Sequence, residues 1–327
     1  MLKLQTDIES WELTEVFATS RDAITHIPLI KVTLTDASGL CGVGEAAGVD
    51  YDGETPDSMR AQLVSISALL TSSTKPTDLR QLLPAGGARN ALDCALWDLR
   101  AKQTGIPAHQ SAGLATLLPV LTCLTIGLGS EEDTRRKARA ARHLPLLKLK
   151  LDQERHVDVV RLVREEAPHA TLIVDANQAW SRTLLERLLP QLHDSHVKLI
   201  EQPVPRGEDE SLRGLKSSIP LAADESCTDR YSLDALHDCY QLINIKLDKS
   251  GGLTEALALA HAATMAGFKL MIGNMCGTSL GMAPAFLIAQ HCLYSDLDGP
   301  LLQNADREHP IHYANGVMSP PDPRLWG

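Results

Sequence analysis

Aromatic side chains are scarce in this 327-residue chain: phenylalanine, tyrosine and tryptophan together make up 4% of it. The core must therefore be built from aliphatic residues. No apolar run approaches the ~18 residues that a membrane-spanning helix requires. The N-terminal stretch MLKLQTDIESWEL is too polar for a secretory leader. A basic excess is missing as well, and the net charge of −10 removes the footprint that nonspecific nucleic-acid binding needs. The seven cysteines are odd in number and form no C-x-x-C pair, so neither a zinc site nor a disulfide framework is indicated. Cys41, Cys94 and Cys123 lie in apolar stretches and read as packing residues. What is left is a globular protein of the reducing cytoplasm, with neither nucleic acid nor membrane as an expected partner.

The chain is long enough for two domains. Residues 1 to about 45 are β-rich: IPLIKVTLTD meets the turn signal Ala37-Ser38-Gly39, and LCGVGEA resumes the strand pattern. From Met59 the pattern turns helical, most clearly in ARNALDCALWDLRAKQTG, which Gly105-Ile106-Pro107 terminates. Strands followed by helices, without alternation, predict an α+β domain over residues 1–115. From 116 to 302 the character changes to alternation. PVLTCLTI reads as a first strand and EEDTRRKARAAR as its helix, and seven further strand candidates follow, down to KLMIGN and LYSDLD. Eight parallel strands separated by helical patterns predict a (β/α)8-type barrel. Residues 303–327 are rich in proline and polar groups and are expected to pack back onto the first domain.

Five of the barrel segments end in a charged residue: LLKLK at Lys150, TLIVD at Asp175, KLIE at Glu201, LAAD at Asp224 and LINIK at Lys246, spaced 25, 26, 23 and 22 residues apart. In a parallel barrel the active site lies at the C-terminal ends of the strands, so these five groups share one level. A lone carboxylate there is as often the N-cap of the next helix. Lys148 and Lys150 stand two apart and face the same way, opposite Leu147, Leu149 and Leu151. Leucines facing the helices leave both lysines facing inward, a costly placement unless anions lie nearby. The three acids supply them. Three carboxylates without histidine or cysteine make a hard-oxygen site suited to Mg²⁺, with Mn²⁺ as the alternative. Lysines on either side of such a cation point to proton transfer at carbon next to a carboxylate, with a lysine pKa brought down toward ~7–8 by the cation.

The motifs K-x-K (148–150), VDAN (174–177), EQP (201–203), ADES (223–226), NIK (244–246) and KSGG (249–252), with PAGGARNALDCALWDL (84–99), resemble the enolase superfamily, its muconate-lactonising subgroup, and within that the L-Ala-D/L-Glu (dipeptide) epimerases. The resemblance covers nearly the whole chain. It implies a modified (β/α)7β barrel with an α+β capping domain formed by the N-terminal region and the C-terminal tail. It implies further that Asp175, Glu201 and Asp224 bind the metal, that Lys150 and Lys246 are acid/base partners on opposite faces of the substrate α-carbon, and that Lys148 assists at the substrate carboxylate. Two opposed lysines fit a 1,1-proton transfer, hence an isomerase acting on a small dipeptide in peptidoglycan peptide metabolism, with assembly into a homo-oligomer allowed for.

Substrate choice rests on fewer residues. By the same resemblance, Asp296 and Asp298 of the eighth strand match the D-x-D that takes a dipeptide's α-ammonium group, and Arg21 in FATSRDA matches a position that reaches its distal carboxylate. Asp52-Gly53-Glu54 falls in a loop that the family folds over the site. Gly277 departs from the pattern, because many relatives carry glutamate there. No histidine stands near strands six and seven, which weighs against mandelate-racemase and sugar-acid dehydratase chemistry, and His261 and His291 read as structural. Other enzymes of the subgroup (o-succinylbenzoate synthase, a cycloisomerase or an N-acylamino acid racemase) are the alternative.

Overall fold

The computed structural model describes residues 1–19 and 23–327. The chain opens with an antiparallel meander of β1 (Lys3–Ala18), β2 (Ala23–Thr35) and β3 (Cys41–Ala46). The Asp36 carboxylate turns β2 into β3 by accepting from Ser38 N (2.8 Å) and Leu40 N (3.1 Å), the local turn that aspartate favours. Alternation along β2 buries Ile30, Val32 and Leu34 on one face. They pack against Ala91, Leu92, Ala95, Leu96 and Leu99 of the Gly87–Thr104 helix. Gly105, in the left-handed conformation, ends that helix.

The second part is a curled parallel sheet of eight strands, consecutive in space as in sequence: β5 (Leu124–Ile126), β6 (Leu146–Lys150), β7 (Thr171–Asp175), β8 (Val197–Glu201), β9 (Leu221–Ala223), β10 (Leu242–Ile245), β11 (Lys269–Ile272) and β12 (Tyr294–Ser295). No strand ladder joins β12 to β5. The gap is spanned instead by Cys123 N donating to Ser295 O (2.9 Å) and Leu297 N donating to Thr122 Oγ1 (2.9 Å). Inward positions form an apolar floor of Cys123, Leu146, Ile173, Leu199, Ala222, Leu242 and Met271. Outward positions such as Leu147, Leu149, Leu172 and Val174 join the larger core beneath the helices.

Three expectations are corrected. PVLTCLTI is two strands: Val120–Leu121 (β4) pairs antiparallel with β14 (Val317–Met318), the partner of β13 (Tyr313–Ala314), and only β5 belongs to the barrel. LYSDLD is strand only at Tyr294–Ser295. The connection from β8 to β9 holds a single 3-10 turn, Asp209–Leu212, where a covering helix was expected.

The tail reaches back to the first part of the chain. Trp326 Nε1 donates to Cys94 O (3.0 Å) and Gly327 N to Asp98 Oδ1 (2.8 Å). The KSGG segment forms the other seam. Gly251 and Gly252 have φ of 77° and 114°, and a Cβ on them would strike Arg89 and Asp93. Without side chains there, Arg89 donates to Gly251 O (3.1 Å) and Ser250 O (2.7 Å), and Asp93 accepts from Thr254 N (2.9 Å) and Thr254 Oγ1 (2.6 Å). Among the described residues, no helix is long and apolar enough to cross a membrane.

Candidate active site

The period-two alternation that lays the apolar floor also builds the site one step higher. Above Leu146 come Lys148 and Lys150; above Ile173, Asp175; above Leu199, Glu201; above Ala222, Asp224; above Leu242, Asn244 and Lys246. All these charged groups are buried. In register, Lys150 lies beside Asp175 and Asp175 beside Glu201, so the strand pairing itself aligns base with acid. The backbone around them is unusual: Asn177, Gln178, Gln202 and Cys276 take φ of 42°, 69°, 32° and 63°, a conformation rare for non-glycine residues and concentrated at functional sites. Gln202 shows one use of it, since its Oε1 accepts from Asp224 N (2.9 Å) and Ser226 N (3.1 Å) and ties EQP to ADES.

Each acid is held on one oxygen and faces a lysine with the other. Asp175 Oδ1 accepts from Asn177 N (2.8 Å), while Oδ2 meets Lys150 Nζ (2.7 Å) and Lys148 Nζ (3.1 Å). Glu201 Oε1 accepts from Asn244 Nδ2 (2.7 Å), while Oε2 has Lys148 Nζ at 2.8 Å. Asp224 Oδ1 accepts from Lys249 Nζ (2.7 Å), while Oδ2 accepts from Lys246 Nζ (2.7 Å).

The electrostatics follow from this crowding. Burial opposes ionisation of Asp175, but Lys150 and Lys148 hold it well below the ordinary carboxylate range. Burial likewise opposes ionisation of Asp224, and Lys246 and Lys249 overcome it. Glu201 goes the other way: burial, then the neighbouring Asp175, push it up to about 8. Its Oε2 is buried and makes no hydrogen bond, the Lys148 contact being an ion pair only. Asp175 Oδ2 and Glu201 Oε2 both meet Lys148 Nζ, Asp224 Oδ2 meets Lys246 Nζ, and the middle carboxyl resists ionising beside its neighbours. A divalent cation of the hard-oxygen class fits this donor set. Burial would lower Lys148 and Lys246, but the carboxylates around them raise both.

Asp296 and Asp298 lie on the same inward side, but they are not an open pair. Asp296 Oδ2 accepts from Lys148 Nζ (2.7 Å), and its Oδ1 from Cys123 Sγ (3.1 Å) and Thr125 Oγ1 (3.3 Å). Asp298 Oδ2 accepts from Thr125 N (2.6 Å). Burial opposes ionisation of Asp296 and Lys148 restores it, whereas burial and then Asp296 push Asp298 up to about 7. Arg21 lies outside the described residues. Asp52 takes Arg206 of the barrel in a two-bond grip, Nη2–Oδ1 2.8 Å and Nη1–Oδ2 3.2 Å. A Cβ on Gly277 would lie 3.1 Å from Glu45 Oε1, so a carboxylate from β3 stands at that strand end. His261 and His291 are exposed and lie away from these groups in the sequence of strand ends.

Four contributors escape the strand-end pattern: Asn244, Lys249, Thr125 and Cys123. Asn244 and Thr125 carry a usable signal, since each has the inward parity of its strand. Cys123, read as packing, in addition donates to Asp296. Lys249 has no periodic signal, because it sits in the helical turn Leu247–Ser250 after β10.

Comparison with known proteins agrees along the whole chain. Residues 2–113 match the family described as mandelate racemase / muconate lactonizing enzyme, N-terminal domain, and residues 132–324 match the enolase C-terminal domain-like family. An N-acetyl-D-glutamate racemase from Pseudoalteromonas sp. is 43% identical over 87% of this chain and 91% of the relative. The L-Ala-D/L-Glu epimerase of Escherichia coli K12 is 37% identical over 95% of this chain and 97% of the relative. A crystal structure of an enolase family member from Agrobacterium tumefaciens, with homology to dipeptide epimerases and with sodium and L-Ala-L-Glu bound, superposes with a TM-score of 0.97 at 38% identity, covering 100% of both chains.

Proposed function

The chain belongs to the mandelate racemase / muconate lactonizing enzyme family of the enolase superfamily, and from that premise we propose that it is a Mg²⁺-dependent epimerase of dipeptides such as L-Ala-D/L-Glu. The observation that carries the reading is the placement of Lys150 and Lys246 at the ends of β6 and β10, with the three acids on β7, β8 and the end of β9 between them. Asp175, Glu201 and Asp224 would hold the cation, which supplies positive charge against the negative charge that develops on the substrate carboxylate as the α-proton leaves. Lys150 takes that proton from one face of the α-carbon and Lys246 returns one to the other face; the reverse direction exchanges their roles. Lys148, between Glu201 and Asp296, would neutralise the substrate carboxylate. Asp298 and Asp296 would receive the dipeptide's ammonium group, and Arg21 its distal carboxylate. Mn²⁺ is the alternative cation, and peptidoglycan peptide metabolism in the cytoplasm is the setting this reading implies.

One observation favours a second reading. Asp296 is already paired with Lys148, and Asp298 holds its proton up to about 7. A protonated Asp298 can donate to an acyl oxygen, as an N-acylated amino acid would require, and one relative is named as an N-acetyl-D-glutamate racemase. Both readings use the same proton transfer. Incubation in D₂O with Mg²⁺, followed by proton NMR, separates them: L-Ala-L-Glu should lose its glutamate α-proton signal faster than N-acetylglutamate. Exchange confined to N-acetylglutamate selects the second reading, and exchange with neither a dipeptide panel nor the N-acyl compound defeats both.

A further inference from the structure

The grip on the three acids is not shared evenly, and two residues outside the acid–lysine set account for it. Asn244 Nδ2 holds Glu201 Oε1, and Lys249 Nζ holds Asp224 Oδ1. The two are linked, because the Lys249 ammonium also donates to Asn244 O (3.0 Å) and to Asp224 O. All three donors of this buried ammonium are therefore spent on fixed acceptors, two of them backbone carbonyls. Lys246 differs. Among the described residues, its hydrogen bond and ion pair both go to Asp224 Oδ2 alone. Room for the arrangement comes from Gly273, where a Cβ would lie 2.8 Å from Asn244 Oδ1 and 3.0 Å from Lys246 Cε.

We infer that Asn244 and Lys249 are positioning residues that preset Glu201 and Asp224 for a divalent cation, so that Lys246, and not Lys249, gives up its acid oxygen when the acids are loaded. The inference rests on the reading of Asp175, Glu201 and Asp224 as cation ligands. A lysine bound to two backbone carbonyls cannot swing to a substrate without leaving both carbonyls buried and unpaired, at a cost that Lys246 does not face. Lys249 is thus excluded as a third proton carrier, although it lies as close to Asp224 as Lys246 does. Its role is the one that partners of metal-bound carboxylates play: fixing which oxygen is presented and in which direction. Loading the acids then has a second effect on this chain, the release of the Lys246 ammonium toward the substrate side of the site.

Calorimetric titration of Mn²⁺ into the EDTA-treated full-length protein tests the inference without turnover. The wild type should show one site per chain, and folded Lys249→Met and Asn244→Leu variants should bind roughly 10–100-fold more weakly, with Lys249→Arg recovering part of the loss. Reductive methylation of the wild type, read by mass spectrometry, gives a second measure: Mn²⁺ should raise labelling of Lys246 and leave Lys249 protected. Unchanged affinity in the folded variants, or labelling of Lys249 ahead of Lys246, overturns the positioning role alone. A wild type that binds no stoichiometric Mn²⁺ overturns the cation site itself. Should the variants fail to fold, the labelling of the wild type decides.

Discussion

Lys148 and Asp296 meet at 2.7 Å as a fully buried ion pair at the closing edge of the barrel. Lys148 also reaches Asp175 and Glu201, so a single ammonium couples these two acids to Asp296 after the eighth strand. On the proposed reading, Asp298 is then the carboxyl whose state decides what the amino end of a substrate can be. Asp298→Asn is expected to raise KM for L-Ala-L-Glu roughly 10–100-fold, since a hydrogen bond to a charged group is worth about 1.5–3 kcal/mol. N-acetylglutamate should lose far less. Steady-state kinetics with both compounds checks this, and equal losses would show that the substrate's nitrogen does not meet Asp298.

The Asp52–Arg206 grip joins the loop before the Pro56–Ile66 helix to the loop after β8. Both side chains are partly exposed, so the pair is worth at most about 1 kcal/mol and is screened by salt. Raising NaCl from about 50 to 500 mM should lower kcat/KM of the wild type several-fold and leave Asp52→Asn nearly unaffected. The charge-swapped Asp52→Arg/Arg206→Asp variant should regain salt sensitivity. A wild type indifferent to salt would show that the grip does not govern the loop.

Asp93 links the Gly87–Thr104 helix to Thr254, and burial raises it to about 7 despite the two hydrogen bonds it accepts. A carboxyl with an ordinary value of 3.8 in the unfolded chain and about 7 in the fold keeps its proton longer when folded. Its stabilising contribution is therefore complete below about pH 4 and is lost as the pH rises through 7. The wild type should lose stability relative to Asp93→Asn between pH 4 and 8 in urea unfolding. A constant difference across that window would show that Asp93 ionises at its ordinary value.

The strand-end acids and lysines were legible because two periods coincide there: alternation within a strand and the β/α repeat between strands. The same alternation pointed inward at Asn244 and Thr125, whose polar groups became meaningful only once the chain closed on itself. Cys123 bonds Asp296 across the junction of the first and last strands, a contact 173 residues apart that no local pattern carries. PVLTCLTI looked like one strand because its first half pairs with a hairpin near the C-terminus. The missing helix between β8 and β9 is explained by Pro203, Pro205, Gly207, Gly214 and Pro220, which leave too little uninterrupted chain for one. Lys249 owes its place to a single helical turn after β10, which folds it beneath Asp224.

The central claim is that two lysines serve opposite faces of one carbon. It is tested most directly by α-proton exchange in D₂O with L-Ala-L-Glu and L-Ala-D-Glu, supplied separately to Lys150→Met and Lys246→Met enzymes with Mg²⁺ present. Each variant should fail to interconvert the epimers yet exchange the α-proton of only one, and the two variants should favour opposite epimers. A variant that still interconverts them, or two variants that exchange the same epimer, would contradict the account.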